Sequence, residues 1–125
     1  MGSKKLGDRV AKILKEWVYV LGLCDWKVDA HVVKDMGEGK DNKCVAGACY
    51  AQWQYRHIDI DLNKALVKDM SYKELEKVVL HELIHGVVAE MHDMALDDNH
   101  KERVVTHLTD AFIWTRGKNA RHSEQ

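Results

Sequence analysis

The chain of 125 residues contains no proline, has only three cysteines and carries almost no net charge. The absence of proline excludes a proline-rich linker and a collagen-like segment. Three cysteines, Cys24, Cys44 and Cys49, cannot all be paired within one chain, and we expect all three to be reduced thiols. A formal charge of −1, from 19 basic and 20 acidic side chains, argues against a nucleic-acid partner held by bulk electrostatics.

Long hydrophobic runs are also missing from the sequence. No apolar stretch approaches the roughly 18 residues that a membrane-spanning helix needs, and no apolar segment follows the charged N-terminus as it would in a signal peptide. We therefore expect a soluble, cytoplasmic protein without membrane partners. The length is typical of one domain, so we predict a single domain over residues 1–125, with flexible ends at 1–5 and 118–125.

Hydrophobic periodicity predicts helices and a small sheet. Apolar residues at three- and four-residue spacing indicate a first helix over residues 6–21, which Gly22 is expected to end. Apolar–polar alternation indicates strands at 26–33 and within 45–62, with a bend near 52–56. In the later strand one face carries Ile58, Ile60 and Leu62, and the other carries His57, Asp59 and Asp61.

Two further helices are predicted in the second half of the chain. Ser71 and Glu74 form a capping box that opens a helix reaching about residue 91, and a last helix is expected over about 100–115, ended by Gly117. The fold class is therefore α+β, with a small, mostly antiparallel sheet packed on three helices. Four tryptophans are expected in or near the core: Trp17, Trp26, Trp53 and Trp114.

The segment with the clearest chemistry is His81-Glu82-Leu83-Ile84-His85, in the middle of the capped helix. Residues four apart lie on one helix face, one turn from each other, so both imidazoles can reach a single metal ion. Glu82 lies beside that ion, where it can take a proton from water and pass it to a leaving amine. This arrangement is the HExxH pattern of zinc peptidases.

A catalytic zinc site needs a third protein ligand and an open position. His92 lies two turns beyond His85, about 10 Å further along the axis, and is too distant. We favour Glu102, because a helix that packs back on the motif helix brings its first turns near His85, and a carboxylate is stabilised at a helix N-terminus. His107 is the second choice. The full set of candidates is Asp93, Asp97, Asp98, His100, Glu102, His107 and Asp110.

The order of helix, strands, HExxH helix, loop and a last helix with Glu102 resembles small gluzincin-type zinc metallopeptidases. Over about residues 44–114 the chain is similar in outline to ImmA/IrrE-like peptidases and more loosely to SprT-like proteases. The resemblance implies a zincin-like fold, in which Zn²⁺ is bound by His81, His85 and Glu102 and Glu82 is general base and acid. It also implies a peptide or protein substrate that pairs with an edge strand, here residues 45–50 or 52–59.

Two supporting roles stay open at this point. Larger gluzincins often place an aspartate four residues after the glutamate ligand to orient a zinc histidine, and Thr106 occupies that position here. Candidates for the orienting residue are Asp110, Asp61 and Thr106. Candidates for a donor to the tetrahedral oxyanion are Tyr50, Tyr55, His57, Arg103 and His107.

Two alternative functions also stay open. The chain could be a non-catalytic regulatory or protein-binding module that contains zinc, or a protease that acts on DNA-bound proteins or repressors. The oligomeric state is not predicted by any of these patterns.

Overall fold

The protein is described by a computed structural model over residues 2–34, 45–89 and 98–123. Within these ranges a three-residue 3₁₀ turn, Trp53–Tyr55, joins the second and third strands. The class is α+β, as the sequence predicts. In chain order the elements are α1 (Gly2–Val20), β1 (Lys27–Val33), β2 (Gly47–Gln52), β3 (His57–Asn63), α2 (Lys64–Val67), α3 (Tyr72–Val87) and α4 (Asp98–Ser123).

The sheet has the strand order β1-β3-β2, so β3 is the central strand. β2 runs antiparallel to β3, because only a short turn at Arg56, with φ 54°, separates them. β1 runs parallel to β3, and residues 34–56, which join these two strands and include β2, exceed the dozen or so that a parallel connection needs. The sheet is therefore mixed, with one parallel and one antiparallel pair, rather than mostly antiparallel.

The core lies between one face of this sheet and the helices. The alternation predicted for β3 is confirmed, because Ile58, Ile60 and Leu62 are fully buried while His57, Asp59 and Asp61 point the other way. We call these the inner and outer faces of the sheet. The buried apolar residues that the helices add are Leu6, Val10, Ile13 and Trp17 from α1, Val67 from α2, Leu75, Val79, Leu80, Leu83 and Ile84 from α3, and Val105 from α4.

The predicted cap at the start of α3 and the predicted end of α1 are confirmed. The Ser71 hydroxyl accepts a hydrogen bond from the Glu74 amide at 3.2 Å, and the Glu74 carboxylate accepts one from the Ser71 amide at 3.1 Å. These bonds satisfy two amides at the start of α3 and lower the pKa of Glu74. At the end of α1, Gly22 adopts a φ of +73°, which glycine tolerates without steric cost.

The expected end of the last helix at Gly117 is wrong, because α4 continues to Ser123. A glycine inside a helix costs only about 1 kcal/mol relative to alanine. Arg116 holds this part of α4 in place: its guanidinium donates to Glu76 of α3 at 2.5 Å and also to Glu16 of α1. This ion-pair cluster fixes α4 against both other long helices.

Trp114 and the short helix α2 also differ from the sequence predictions. Trp114 is 63% exposed, so it is not a core residue, whereas Trp17 is buried and Trp26 packs against the core. Helix α2 was not predicted because four residues are too few to show a period. It begins at a local cap, where the Asn63 side chain accepts a hydrogen bond from the Ala65 amide at 3.2 Å.

Two of the three cysteines lie within the described residues. Cys24 is an exposed free thiol and Cys49 a half-buried one, while Cys44 lies outside the described residues. Among the helices that the structure describes, none is both long enough and apolar enough to cross a bilayer.

Helix α3 approaches the central strand closely at Gly86. A Cβ atom at residue 86 would lie 2.8 Å from Cδ1 and 2.9 Å from Cγ1 and Cγ2 of Ile58. Ile58 is fully buried, so its side chain has little room to move. The absence of a side chain at position 86 therefore sets the distance between α3 and the sheet.

We predict that Gly86→Ala lowers the free energy of unfolding by about 1–3 kcal/mol, the usual cost of overpacking a core. Gly7→Ala is the matched control, because Gly7 is a helical glycine at which an added Cβ would meet no atom within 4 Å. That control should leave stability unchanged or raise it by up to about 1 kcal/mol. Urea denaturation followed by circular dichroism measures both, and equal effects of the two substitutions would contradict the close approach.

Candidate metal centre

Helix α3 presents the residues of the HExxH motif on two adjacent faces. Glu82 and Gly86 are four residues apart and both face the sheet, where both are buried. His81 and His85 occupy the neighbouring face, and about a quarter of each side chain is exposed. Their ring centroids are 4.9 Å apart. The two imidazoles therefore lie together at the edge of the core, and the glutamate beside them is more deeply buried.

Helix α4 packs against α3 and brings Glu102 to the two histidines. One carboxylate oxygen of Glu102 lies 2.7 Å from Nε2 of His81. The other oxygen lies 3.0 Å from Nε2 of His85. The residue favoured as third ligand is therefore in contact with both histidines, although its separation along the chain from His85 is 17 residues.

These three side chains form a donor set that fits Zn²⁺. Their ligand atoms all lie within 4.8 Å of one another. Ligands held 2.0–2.1 Å from a tetrahedral ion are about 3.3 Å apart, so the separations to Glu102 need to widen by only a few tenths of an ångström. Burial lowers the pKa of His85, which favours the neutral ring that a metal requires. Two imidazoles and one carboxylate leave a fourth position open.

Glu82 is a buried carboxylate, with 8% of its surface exposed. Burial raises its pKa to about 7, and the nearby charge of Glu102 acts in the same direction. Its position depends on Gly47 of β2, because a Cβ at residue 47 would lie 3.0 Å from Cγ of Glu82. A group with this pKa can take up and release a proton near neutral pH.

A cleft of about 740 Å³ opens beside the motif, between α3 and the start of β2. Gly47, which belongs to the predicted edge at 45–50, and Lys77 line it, and sequence reasoning missed Lys77. Lys77 lies four residues before His81 on the same helix face, which is a signal that could have identified it. Its ammonium group pairs with Asp110 of α4 at 3.1 Å. Glu74, Glu102 and the polar residues of the motif also line the cleft, together with four apolar side chains: Val45, Ala46, Met70 and Val78.

The other third-ligand candidates are distributed along α4 and the chain before it. His107 is exposed on α4 and does not belong to the cluster of ligand atoms. Asp110 is paired with Lys77. The remaining candidates lie outside the described residues, wholly or by their side chains: Asp93, Asp97, Asp98 and His100. Of the candidates whose side chains are described, the structure brings Glu102 to the motif.

The candidates for an orienting residue and an oxyanion donor are not gathered at the motif. Asp61, His57 and Tyr50 lie on the outer face of the sheet, on the other side from α3. Thr106, Arg103 and Tyr55 are exposed. Within the described ranges, neither Thr106 nor Asp61 makes a hydrogen bond to a motif histidine. Both supporting roles therefore stay without an assigned residue.

An α+β domain that carries HExxH on a helix and a carboxylate on the following helix is a zincin-like domain. Residues 22–114 match the SprT-like family, which is well over half of the chain. The chain therefore belongs to the SprT-like family, which is one of the families named in the sequence analysis. The match begins before β1, earlier than the resemblance over residues 44–114. No curated protein and no solved structure gave a significant match.

Cys49 lies on the inner face of β2, close to Glu82. Burial raises the pKa of its thiol to about 12, and the negative charges of Glu82 and Asp59 act in the same direction. The thiolate is the reactive form, and a pKa raised this far keeps Cys49 as the neutral thiol near pH 8. Cys49 is therefore a chemically inert neighbour of the motif.

We predict that iodoacetamide at pH 8 modifies the exposed Cys24 well before Cys49 in the folded protein. Peptide mapping by mass spectrometry follows each cysteine separately, and in urea the two should react at similar rates. Native Cys49 that reacts as fast as Cys24 at pH 8 would contradict its burial beside Glu82.

Proposed function

We propose that this protein is a zinc-dependent metallopeptidase in which His81, His85 and Glu102 hold Zn²⁺. The observation that carries the proposal is the contact of one Glu102 carboxylate with Nε2 of both histidines, at 2.7 and 3.0 Å. Membership of the SprT-like family supports it. A zinc ion bound there would supply a Lewis acid that polarises the scissile carbonyl and activates water.

Glu82 is the general base and acid of the proposed reaction. With a pKa of about 7, its carboxylate can accept the proton of the attacking water and then donate it to the leaving amine. The burial that raises this pKa also holds the side chain in one place between α3 and β2. Gly47 leaves the space that this position requires.

The proposed substrate is a peptide or protein segment bound in extended form along β2. β2 is an edge strand of the described sheet, and residues 45–47 line the cleft beside Glu82. A peptide that adds to this edge would carry its backbone past the motif. Of the two edges considered from the sequence, 45–50 is therefore preferred, because 57–59 belongs to the central strand β3.

We predict that the purified protein, free of any affinity tag, retains about one tightly bound zinc ion per chain at the proposed HExxH site. Plasma mass spectrometry after dialysis should show that His81→Ala and Glu102→Ala lose this ion. His107→Ala is the control on the same helix, and it should retain the ion because His107 is exposed and outside the cluster.

His100→Ala tests the competing third ligand in the same series. We expect it to retain zinc. If zinc is lost in His100→Ala and kept in Glu102→Ala, the third position belongs to His100 and the assignment of Glu102 is wrong.

We predict that Glu82→Gln retains zinc but loses about 10²–10⁴-fold of the rate of peptide hydrolysis, as expected for removal of a general base. Hydrolysis of unfolded, fluorescently labelled casein measures the rate. Asp69→Asn changes an exposed carboxylate in the turn before α3 and should leave the rate unchanged. A zinc-loaded wild-type protein that cleaves nothing would favour the non-catalytic zinc module instead. An unaltered rate in Glu82→Gln would show that Glu82 is not the general base.

A further inference from the structure

A second group of metal-binding side chains lies on the outer face of the sheet. Asp29 of β1 and His57 and Asp59 of β3 bring their ligand atoms within 4.8 Å of one another. Nε2 of His57 is 3.2 Å from one carboxylate oxygen of Asp59. These residues play no part in the proposed peptidase site, which uses α3, α4 and the inner face of the sheet.

The pairing of β1 with β3 creates this group. Asp29 and Asp59 are direct partners in the parallel register, so their side chains emerge next to each other on the same face. His57 is two residues before Asp59 on the same strand and therefore shares that face. β3 is the central strand, so its backbone is hydrogen-bonded to a neighbouring strand on each side. This pairing fixes the backbone positions of His57 and Asp59.

His31 supplies a further donor at the border of the group. Its Nε2 lies 3.7 Å from the other carboxylate oxygen of Asp59, and 61% of its side chain is exposed. An exposed side chain can rotate with little steric resistance. Asp59 thus has an imidazole on each of its two oxygens, and both of its described ion pairs are with histidine. Two carboxylates and one imidazole thus lie close together, and His31 approaches them through Asp59.

We propose that Asp29, His57 and Asp59, completed by His31, form a second site for a divalent transition-metal ion of the Zn²⁺ or Ni²⁺ type. Imidazole ligands favour these ions over Mg²⁺ and Ca²⁺, which take oxygen ligands. Bonds of about 2.0–2.2 Å place two ligands of one ion at most about 4.4 Å apart. The present separations within 4.8 Å need only small side-chain rotations to reach that range.

The ion would bridge β1 and β3 and bind more weakly than an ion at the α3 site. It must displace the contact between His57 and Asp59, and about a third of each of these side chains is open to solvent. Without an ion, such exposed histidine–aspartate pairs contribute little to stability. Binding should therefore be visible as an increase in thermal stability that depends on metal concentration. The proposal does not depend on peptidase activity.

Titration calorimetry of the untagged, metal-free protein with ZnCl₂ tests the site. We expect two classes of binding, one strong and one weaker, each with about one ion per chain. Asp59→Asn and His57→Ala should each abolish the weaker class and retain the stronger one. His81→Ala should abolish the stronger class and retain the weaker one. His31→Ala should weaken the second class without removing it, since His31 lies at the border of the group.

Asp61→Asn is the matched control, because Asp61 is the next outward-facing aspartate on β3 and lies outside the group. It should retain both classes, and casein hydrolysis should be unchanged in Asp59→Asn. Circular dichroism verifies folding, and Asp29→Asn replaces any variant that fails to fold. A wild type whose binding is entirely abolished by His81→Ala, or a weaker class that persists in both Asp59→Asn and Asp29→Asn, would overturn the proposal.

Discussion

The close packing of α3 against the sheet is the contact on which the rest of the structure depends. Gly86 lets the helix approach Ile58, and Gly47 leaves room for Glu82 on the neighbouring strand. Since residues 82 and 86 share one helix face, this approach buries the glutamate and turns His81 and His85 toward α4. The same contact therefore raises the pKa of Glu82 and orients the rings of His81 and His85.

The second requirement is a fixed position for α4. Arg116 interacts with carboxylates of α1 and α3, and its guanidinium lies 5.1 Å from the ring centre of Trp17. The Trp17 indole donates a hydrogen bond of 3.0 Å to the same Glu76 oxygen. These contacts hold one part of α4, and Val105 anchors its first half in the core, close to Glu102. The Glu102 carboxylate of α4 can thus contact both imidazoles of α3.

Most of the local structure could be predicted from the sequence, because its signals lie within a few residues. The capping box at Ser71 is a pattern of four residues, and the alternation of β3 is a pattern of two. The errors concern properties set by distant neighbours. Gly117 has a strong local tendency to end a helix, yet tertiary contacts at Arg116 accompany its continuation. Trp114 is apolar, but no local pattern tells how much of its side chain other residues cover.

The candidate metal ligands also divide into those that a local pattern predicts and those that distant parts of the chain bring together. His81, Glu82 and His85 belong to one helical turn, so helix geometry alone predicts that the two rings can converge. Asp29 and Asp59 become neighbours only through the parallel pairing of β1 with β3, for which the sequence offered no register.

The sequence by itself therefore determined the α+β class, the capped helix and the spacing of its motif, since each follows from backbone periods of 2 and 3.6 residues. Tertiary structure alone decided which distant carboxylate meets the histidines, how deeply Glu82 is buried and which strand is central. Those features arise from packing between elements far apart in the chain. The free energy of such a contact depends on both partners, so no short segment of the sequence determines it.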